Sequence, residues 1–210
     1  MSLASLKETR HAAGRTSGLW ATVRVLGIDP GSDVTGYGVI DSDGNRHALV
    51  EYAGIKTPSR VPFSERLLII GQKIEEVIAR LQPHACAVEE TFYAVNVKSA
   101  LKLGHVRGAV LLVAAKAGVQ VFEYSPLEVK SALVGYGRAE KRQVQSMVRR
   151  LLELSTEPEP LDASDALAVA ICHANTASTL ARQGLRQSPQ ELSPEVEHKR
   201  PSRSRPLSRS

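Results

Sequence analysis

The sequence predicts an α/β fold in which a mixed five-stranded sheet is flanked by helices. Three antiparallel strands are expected first, because residues 23–56 contain three strand-like apolar segments separated by short turns. Parallel β-α units are expected next, because helical periodicities alternate with short apolar runs from residue 63 onward. This order is typical of a mixed sheet with helices on both faces.

The antiparallel strands are predicted from their composition and their turns. Residues 23–29 are rich in β-branched residues and stop at the turn formed by Pro30 and Gly31. Residues 35–40 form the returning strand of a hairpin, and residues 47–56 complete the antiparallel unit.

Apolar residues at helical spacing predict the helices of the second part. The first of them stops before Pro83. Helices are predicted at residues 63–81, 97–117, 140–154 and 162–177, strands at 84–89 and 119–124, and one or two helical turns at 126–133.

The positive charge of the chain lies at its two ends. The 210 residues carry a net charge of +5, of which residues 1–22 hold +2, residues 176–210 hold +4 and the part between them −1. The C-terminal end is also poor in apolar residues. We therefore expect a disordered extension at 1–22, one folded domain at 23–177 and a disordered basic tail at 178–210.

Cysteine usage and hydropathy exclude several classes of protein. Cys86 and Cys172 lie far apart without C-x-x-C spacing, which argues against a disulfide scaffold or a zinc site and fits a reducing cytosol. No apolar run reaches the length of a membrane span, since Lys116 interrupts the longest one. Residues 1–22 lack the apolar region of a signal peptide, so we expect a cytoplasmic protein that does not enter membranes.

Four carboxylates are predicted to converge at one edge of the sheet. Asp29 and Glu89 each end an apolar strand, and the carboxyl ends of parallel strands lie at the same edge. Asp162 and Asp165, three residues apart, share one face in the first turn of the last helix. Two structural alternatives stay open: Asp29 caps its own turn, or Asp162 is a helix N-cap.

Acids without histidine or cysteine partners are typical of a site for hard divalent cations, with Mg²⁺ preferred and Mn²⁺ as a substitute. Two such ions about 4 Å apart promote in-line phosphodiester cleavage, one by activating the attacking water and the other by stabilising the leaving 3′-oxygen. No side-chain nucleophile is needed, and the sequence contains no nucleophile elbow, P-loop or zinc-protease motif. The pattern favours a metal-dependent nuclease.

Aromatic and basic residues near these acids favour a nucleic acid substrate. Phe92 closely follows Glu89 and offers a ring for base stacking, although packing under the next helix explains it equally well. Lys130 and Lys141 bring positive charge that offsets the repulsion between the acids and DNA. A solvated helix face is the alternative explanation for both lysines.

Several segments resemble the RuvC family of Holliday junction resolvases, in the ribonuclease H-like and retroviral integrase superfamily. The similarity runs without a gap from residue 23 to about residue 176, and the segments are specific when taken together. They are residues 26–32 with 35–39, 87–90 with Phe92, 99–104, 121–124, 139–141 and 162–168.

The resemblance implies a ribonuclease H-like fold and a Mg²⁺-dependent homodimer that resolves four-way DNA junctions by paired symmetric nicks during recombination and repair. It also implies a preference for a short thymine-containing sequence and partnership with the RuvA–RuvB branch-migration motor. The two ends have no counterpart in the family, and Glu90 adds a second acid beside Glu89. The family's catalytic acids fall on Asp29, Glu89, Asp162 and Asp165, its stacking aromatic on Phe92, and its catalytically important lysines on Lys130 and Lys141.

Other classes fit less well. An actin-like ATP-binding or sugar-kinase domain shares the strand core and the Asp-x-Gly turn, but the chain is too short to hold both of its halves. A non-catalytic DNA-binding module that relies on the basic ends leaves the converging acids unexplained. A nuclease of the same fold for ribosomal RNA precursors is the runner-up, and a cleavage assay separates it from a junction nuclease.

Overall fold

The predicted mixed five-stranded sheet is confirmed. The computed structural model describes residues 22–90 and 96–185, and the strand order in its sheet is β3-β2-β1-β4-β5. β1 is antiparallel to β2 and parallel to β4, while β2 pairs antiparallel with β3 and β4 parallel with β5. The elements are β1 (Val23–Asp29), β2 (Val34–Ser42), β3 (His47–Lys56), α1 (Phe63–Leu81), β4 (Ala85–Glu89), α2 (Val97–Lys116), β5 (Gln120–Tyr124), α3 (Pro126–Val134), α4 (Lys141–Leu151) and α5 (Leu161–Arg182).

The sheet separates two hydrophobic cores. Side chains alternate along a strand, so Leu26 and Ile28 of β1 join the core under α1 and α2, whereas Val25 joins the core under α3, α4 and α5. β4 alternates in the same way, with Ala85 and Ala87 in the α5 core. The central strands are therefore buried on both faces and carry apolar residues at nearly every position.

Two predicted helix ends are wrong. The helix predicted to reach residue 154 ends at Leu151, and Glu153 after it adopts a left-handed conformation with a φ of 53°. Residues 126–133, predicted as one or two helical turns, do form a helix, which begins at a capping box between Ser125 and Glu128 and runs to Val134. The last helix, predicted to end at residue 177, continues to Arg182. In its last turn, Arg182 contacts Asn45 in the turn between β2 and β3, a long-range contact that helical periodicity does not predict.

α5 is the central helix of the fold, and much of its length is buried. Its small residues Ala163, Ala166 and Ala170 are fully covered against the sheet. Within the described residues, no helix combines the length and the apolar character that a membrane span requires.

Candidate active site

The alternation of the two central strands aims Asp29 and Glu89 toward the same helix. Ile28 pairs with Val88 in the parallel register of β1 and β4, so the next residues of both strands leave the sheet side by side. Ile28 and Val88 face α1 and α2, and the acids that follow them face α5. The prediction that both acids stand at one edge of the sheet is confirmed.

A row of glycines lets the backbone of α5 lie directly on the sheet. Gly27 and Gly38 pair across β1 and β2, and Gly36 pairs with Asp29. A Cβ atom on Gly27 would lie 2.0 Å from the carbonyl oxygen of Ala166, and one on Gly36 would lie 1.9 Å from the carbonyl oxygen of Asp162. Only strands without side chains at these positions allow the first turns of α5 to approach Asp29.

The approach of α5 brings the predicted acids together. In its protonated form Asp29 donates a hydrogen bond to the Glu89 carboxylate, and the negative charges of Glu89, Asp165 and Asp162 act on it. Burial is the main cause that raises the pKa of Asp29 to about 8, and the three neighbouring carboxylates raise it further. Burial likewise raises the pKa of Glu89 and of Asp165. The cluster therefore concentrates negative charge that a cation would stabilise.

Both predicted lysines lie beside this cluster. Lys141, the first residue of α4, places its Nζ 2.6 Å from Asp165 Oδ2. Burial lowers the pKa of Lys141, but the hydrogen bond to Asp165 and the charges of Asp29 and Asp162 outweigh it, so that the pKa is raised. The charge of Lys130, on α3, acts on Glu89 and Asp165 and opposes the rise of their pKa values. The structure thus brings together all the predicted site residues except Phe92, which lies outside the described residues.

The donor set suits a hard divalent cation, since it consists of carboxylate oxygens and lacks sulfur and imidazole. However, residues 22–90 and 96–185 contain no group of three or more aspartate, glutamate, histidine or cysteine side chains that could hold a metal ion as they stand. The contacts explain this arrangement, because Lys141 is paired with Asp165 while Asp29 is hydrogen-bonded to Glu89. A cation held by these carboxylates would replace the Lys141 ammonium at Asp165 and the proton between Asp29 and Glu89.

The structure decides between the alternatives for Asp29 and Asp162. The N-cap of α5 is Pro160, so Asp162 lies inside the first helical turn and the N-cap alternative is wrong. The turn after Asp29 is held by Thr35, whose hydroxyl donates to the Gly31 carbonyl at 2.8 Å, while Asp29 itself hydrogen-bonds with Glu89.

Three other polar residues have structural partners. His173 on α5 is buried, and its Nδ1 lies 2.8 Å from the hydroxyl of Tyr124. Glu51 accepts a hydrogen bond from the Tyr37 hydroxyl at 2.7 Å and pairs with Arg80. Glu90 lies 3.8 Å from Arg107, which also pairs with Glu123.

Two features of the site are absent from the sequence-based predictions. The glycine row does have a local signal, because Gly36 and Gly38 alternate in a strand that such residues weaken. The second feature is Arg66, a buried residue of α1 whose guanidinium donates to the Ser32 carbonyl and to Asp33 in the turn after Asp29. It gives no comparable signal, because an arginine in an amphipathic helix is ordinarily solvent-exposed.

Comparison with known proteins points to one family. The family described as crossover junction endodeoxyribonuclease RuvC matches residues 25–173. A protein of that name from Desulfitobacterium hafniense is 51% identical over 160 residues, which cover 76% of this chain and 97% of the relative. One from Chloroflexus aggregans is 51% identical over 163 residues, covering 78% and 99%. The solved structure of Thermus thermophilus RuvC in complex with Holliday junction substrate is 40% identical and covers 79% of this chain and 98% of its own, with a TM-score of 0.72.

Proposed function

Because this chain belongs to the RuvC family of crossover junction endodeoxyribonucleases, we propose that it resolves Holliday junctions with the carboxylates of Asp29, Glu89, Asp162 and Asp165 as its catalytic metal ligands. The fold is the ribonuclease H-like α/β fold of this family, and the activity is that of an endodeoxyribonuclease in DNA recombination and repair. The observation that carries the proposal is the convergence of the four carboxylates at one edge of the sheet. Asp29 and Glu89 leave neighbouring strands side by side, and the first turn of α5, with Asp162 and Asp165, lies against Gly36, the strand partner of Asp29.

Membership of the family implies a divalent metal cofactor. We assign two Mg²⁺ ions to each site, with Mn²⁺ as a substitute, since only oxygen donors are offered. When bound, the ions supply an activated water and charge stabilisation of the leaving 3′-oxygen. The chain's own contribution is to hold the acids at strand ends and on one helical turn, where packing fixes their positions.

The positive charges of Lys141 and Lys130 offset the repulsion between the four acids and the DNA phosphates. The Lys141 side chain is 61% exposed, so its ammonium could pair with a DNA phosphate in place of Asp165, whose carboxylate would then be free to hold a metal ion. Phe92 comes two residues after Glu90, where the described part of the chain after β4 ends. We propose that its ring stacks on a base of the distorted junction.

A four-way junction has near two-fold symmetry, so paired nicks require two sites in a symmetric arrangement. We propose a homodimer that forms through α2. Val97, Leu101 and Leu112 lie on one solvent-facing stripe of α2 and are 77%, 60% and 62% exposed. The same stripe contains Gly104 and Gly108, where an added Cβ atom would meet no atom within 4 Å. Exposed leucines beside small residues favour close helix contact and disfavour a solvated face.

The remaining proposals concern the cellular setting. A cytoplasmic location is supported by Cys86 and Cys172, which are both buried free thiols whose pKa burial raises to about 12. A RuvA–RuvB branch-migration complex is the proposed partner that moves the junction to this nuclease. The folded nuclease domain is proposed to end after α5, with the segments outside residues 22–185 contributing non-specific charge.

Asp29→Asn tests the metal site, because it removes a charged ligand and keeps the shape of the side chain. Cleavage of a synthetic four-way junction in Mg²⁺ should fall below detection, while junction binding stays within about threefold, since phosphate contacts elsewhere supply affinity. Ca²⁺ should support binding without efficient cleavage. Asp43→Asn is the matched control, because Asp43 is exposed and its capping hydrogen bonds to Asn45 and Arg46 can be kept by asparagine.

Normal cleavage by the Asp29→Asn protein would refute the metal-site proposal. The same assay run on linear duplex and on structured RNA separates a junction nuclease from a ribosomal RNA nuclease of the same fold. Preferential cutting of the RNA would favour the alternative.

A further inference from the structure

A buried arginine of α1 holds the turn that joins β1 to β2. The Arg66 side chain is 8% exposed, and its guanidinium donates to the carbonyl of Ser32 and, at 2.8 Å, to Asp33 Oδ1. Its Nε donates to Thr57 Oγ1 at 2.9 Å. Thr57 is itself tied to the same turn, because its backbone nitrogen donates to the Asp33 carbonyl at 3.2 Å. Burying a guanidinium is costly, so such a set of partners indicates a fixed position.

The turn held by Arg66 lies between two of the proposed metal ligands. Asp29 is the last residue of β1, directly before the turn, and a Cβ atom on Gly31 would lie 3.9 Å from Asp162 Oδ1. The turn is also tight, because the same Cβ atom would lie 1.9 Å from the carbonyl oxygen of Val34. A shift of this turn therefore moves Asp29 and changes its separation from Asp162.

We propose that Arg66 is a positioning residue for junction cleavage. By fixing residues 30–33 from α1, its guanidinium sets the separation of Asp29 and Asp162, and with it the affinity of the site for divalent cations. Arg66 contacts the turn through Ser32 and Asp33 and has no hydrogen bond or ion pair with the four proposed metal ligands, so its effect passes through the backbone. This inference rests on the proposed metal site.

Arg24 provides a matched control at the opposite end of the same strand. Its Nε and Nη2 donate to the two carboxylate oxygens of Asp41 at 2.7 and 2.8 Å, and its Nη1 donates to the Leu81 carbonyl at 2.9 Å. Like Arg66, it joins the β1–β2 pair to α1 through one carboxylate and one backbone carbonyl. Loss of either arginine should lower stability, whereas only loss of Arg66 should disturb the acids.

The test compares Arg66→Gln, Arg66→Lys and Arg24→Gln in the full-length protein, below the melting temperature of each. Mn²⁺ binding without DNA is measured by calorimetry, and junction cleavage in Mg²⁺ is measured under single-turnover conditions. Arg66→Gln should weaken Mn²⁺ binding at least about tenfold and slow cleavage about 100-fold, with the junction Kd within about threefold. Arg66→Lys keeps a cation near Ser32 and Asp33 and should recover at least about tenfold of the lost rate. Arg24→Gln should change neither measurement by more than about threefold.

Equal losses in the two glutamine variants would overturn the proposal, as would an Arg66→Gln protein with parental Mn²⁺ affinity and rate. Asp29→Asn keeps this inference separable from the site on which it rests. If that variant loses Mn²⁺ binding and cleavage while Arg66→Gln loses neither, only the role of Arg66 fails. Should Arg66→Gln not fold, Thr57→Val removes one acceptor of the guanidinium; it should slow cleavage about tenfold, and a parental rate would refute the role.

Discussion

Gly36→Ala is expected to displace one proposed metal ligand, Asp162, without changing the side chain of any acid. Gly36 lies in β2, in an extended conformation that alanine also adopts, so the added methyl group is the whole perturbation. Its Cβ would stand 1.9 Å from the carbonyl oxygen of Asp162 and 2.8 Å from the nitrogen of Ala163. Real Cβ contacts essentially never fall below 3.0 Å, and both partners here are backbone atoms. Strand and helix must therefore separate by about 1 Å or more, a displacement that costs about 100-fold in rate where geometry controls the reaction.

The assay is single-turnover cleavage of a synthetic four-way junction at saturating protein and Mg²⁺, with junction binding measured separately in Ca²⁺. Overpacking should also cost about 1–3 kcal/mol of unfolding free energy, which denaturant titration measures. Gly71→Ala is the matched control, because its Cβ would meet Val113 Cγ2 at an ordinary 3.6 Å and alanine favours the helix by up to about 1 kcal/mol. A Gly36→Ala protein that cleaves within about threefold of the parent would refute the reasoning, since α5 would then tolerate the methyl group without moving Asp162.

Three further predictions concern stability and assembly. Burial lowers the pKa of His173 to about 4, whereas the unfolded chain has a histidine pKa of about 6.5. The protein should therefore lose up to about 3 kcal/mol of unfolding free energy as the pH falls from about 6.5 toward 4. His173→Gln should lose less unfolding free energy over the same range, as measured by urea titration. Gly108→Arg, on the exposed stripe of α2, should sediment as a folded monomer that fails to linearise a cruciform plasmid. The control Ala79→Arg, at an exposed position of α1, should stay dimeric and linearise the plasmid. A chain cut to residues 22–185 should keep specific cleavage and show a shallower salt dependence of DNA binding.

Each of these has an outcome that contradicts it. Equal acid sensitivity of the parent and His173→Gln would mean that other groups dominate the pH dependence. A Gly108→Arg protein that stays dimeric and makes paired cuts would place the interface elsewhere. Loss of junction selectivity in the trimmed chain would give the ends a structural role.

The sequence by itself determined the element order and the edge at which the acids meet. Alternation with a period of two predicts that Asp29 and Glu89 end buried strands, and spacing within one helical turn joins Asp162 to Asp165. Such patterns are local, because the periods of strands and helices are recognised from residues that are close together in sequence. The same local patterns, together with the segments that resemble the family, are sufficient to predict the metal-dependent junction nuclease.

Only the tertiary structure decided how these acids are held. The close approach of α5 depends on Gly27 and Gly36 meeting a helix more than 100 residues away in sequence, so no local period announces it. Arg66 has the sequence signature of a solvated helix residue, yet its guanidinium is buried because the turn after Asp29 folds onto α1. The last turn of α5 likewise meets a distant part of the chain, where Arg182 contacts Asn45. Contacts between residues far apart in sequence are set by packing, and packing exists only when the whole domain has folded.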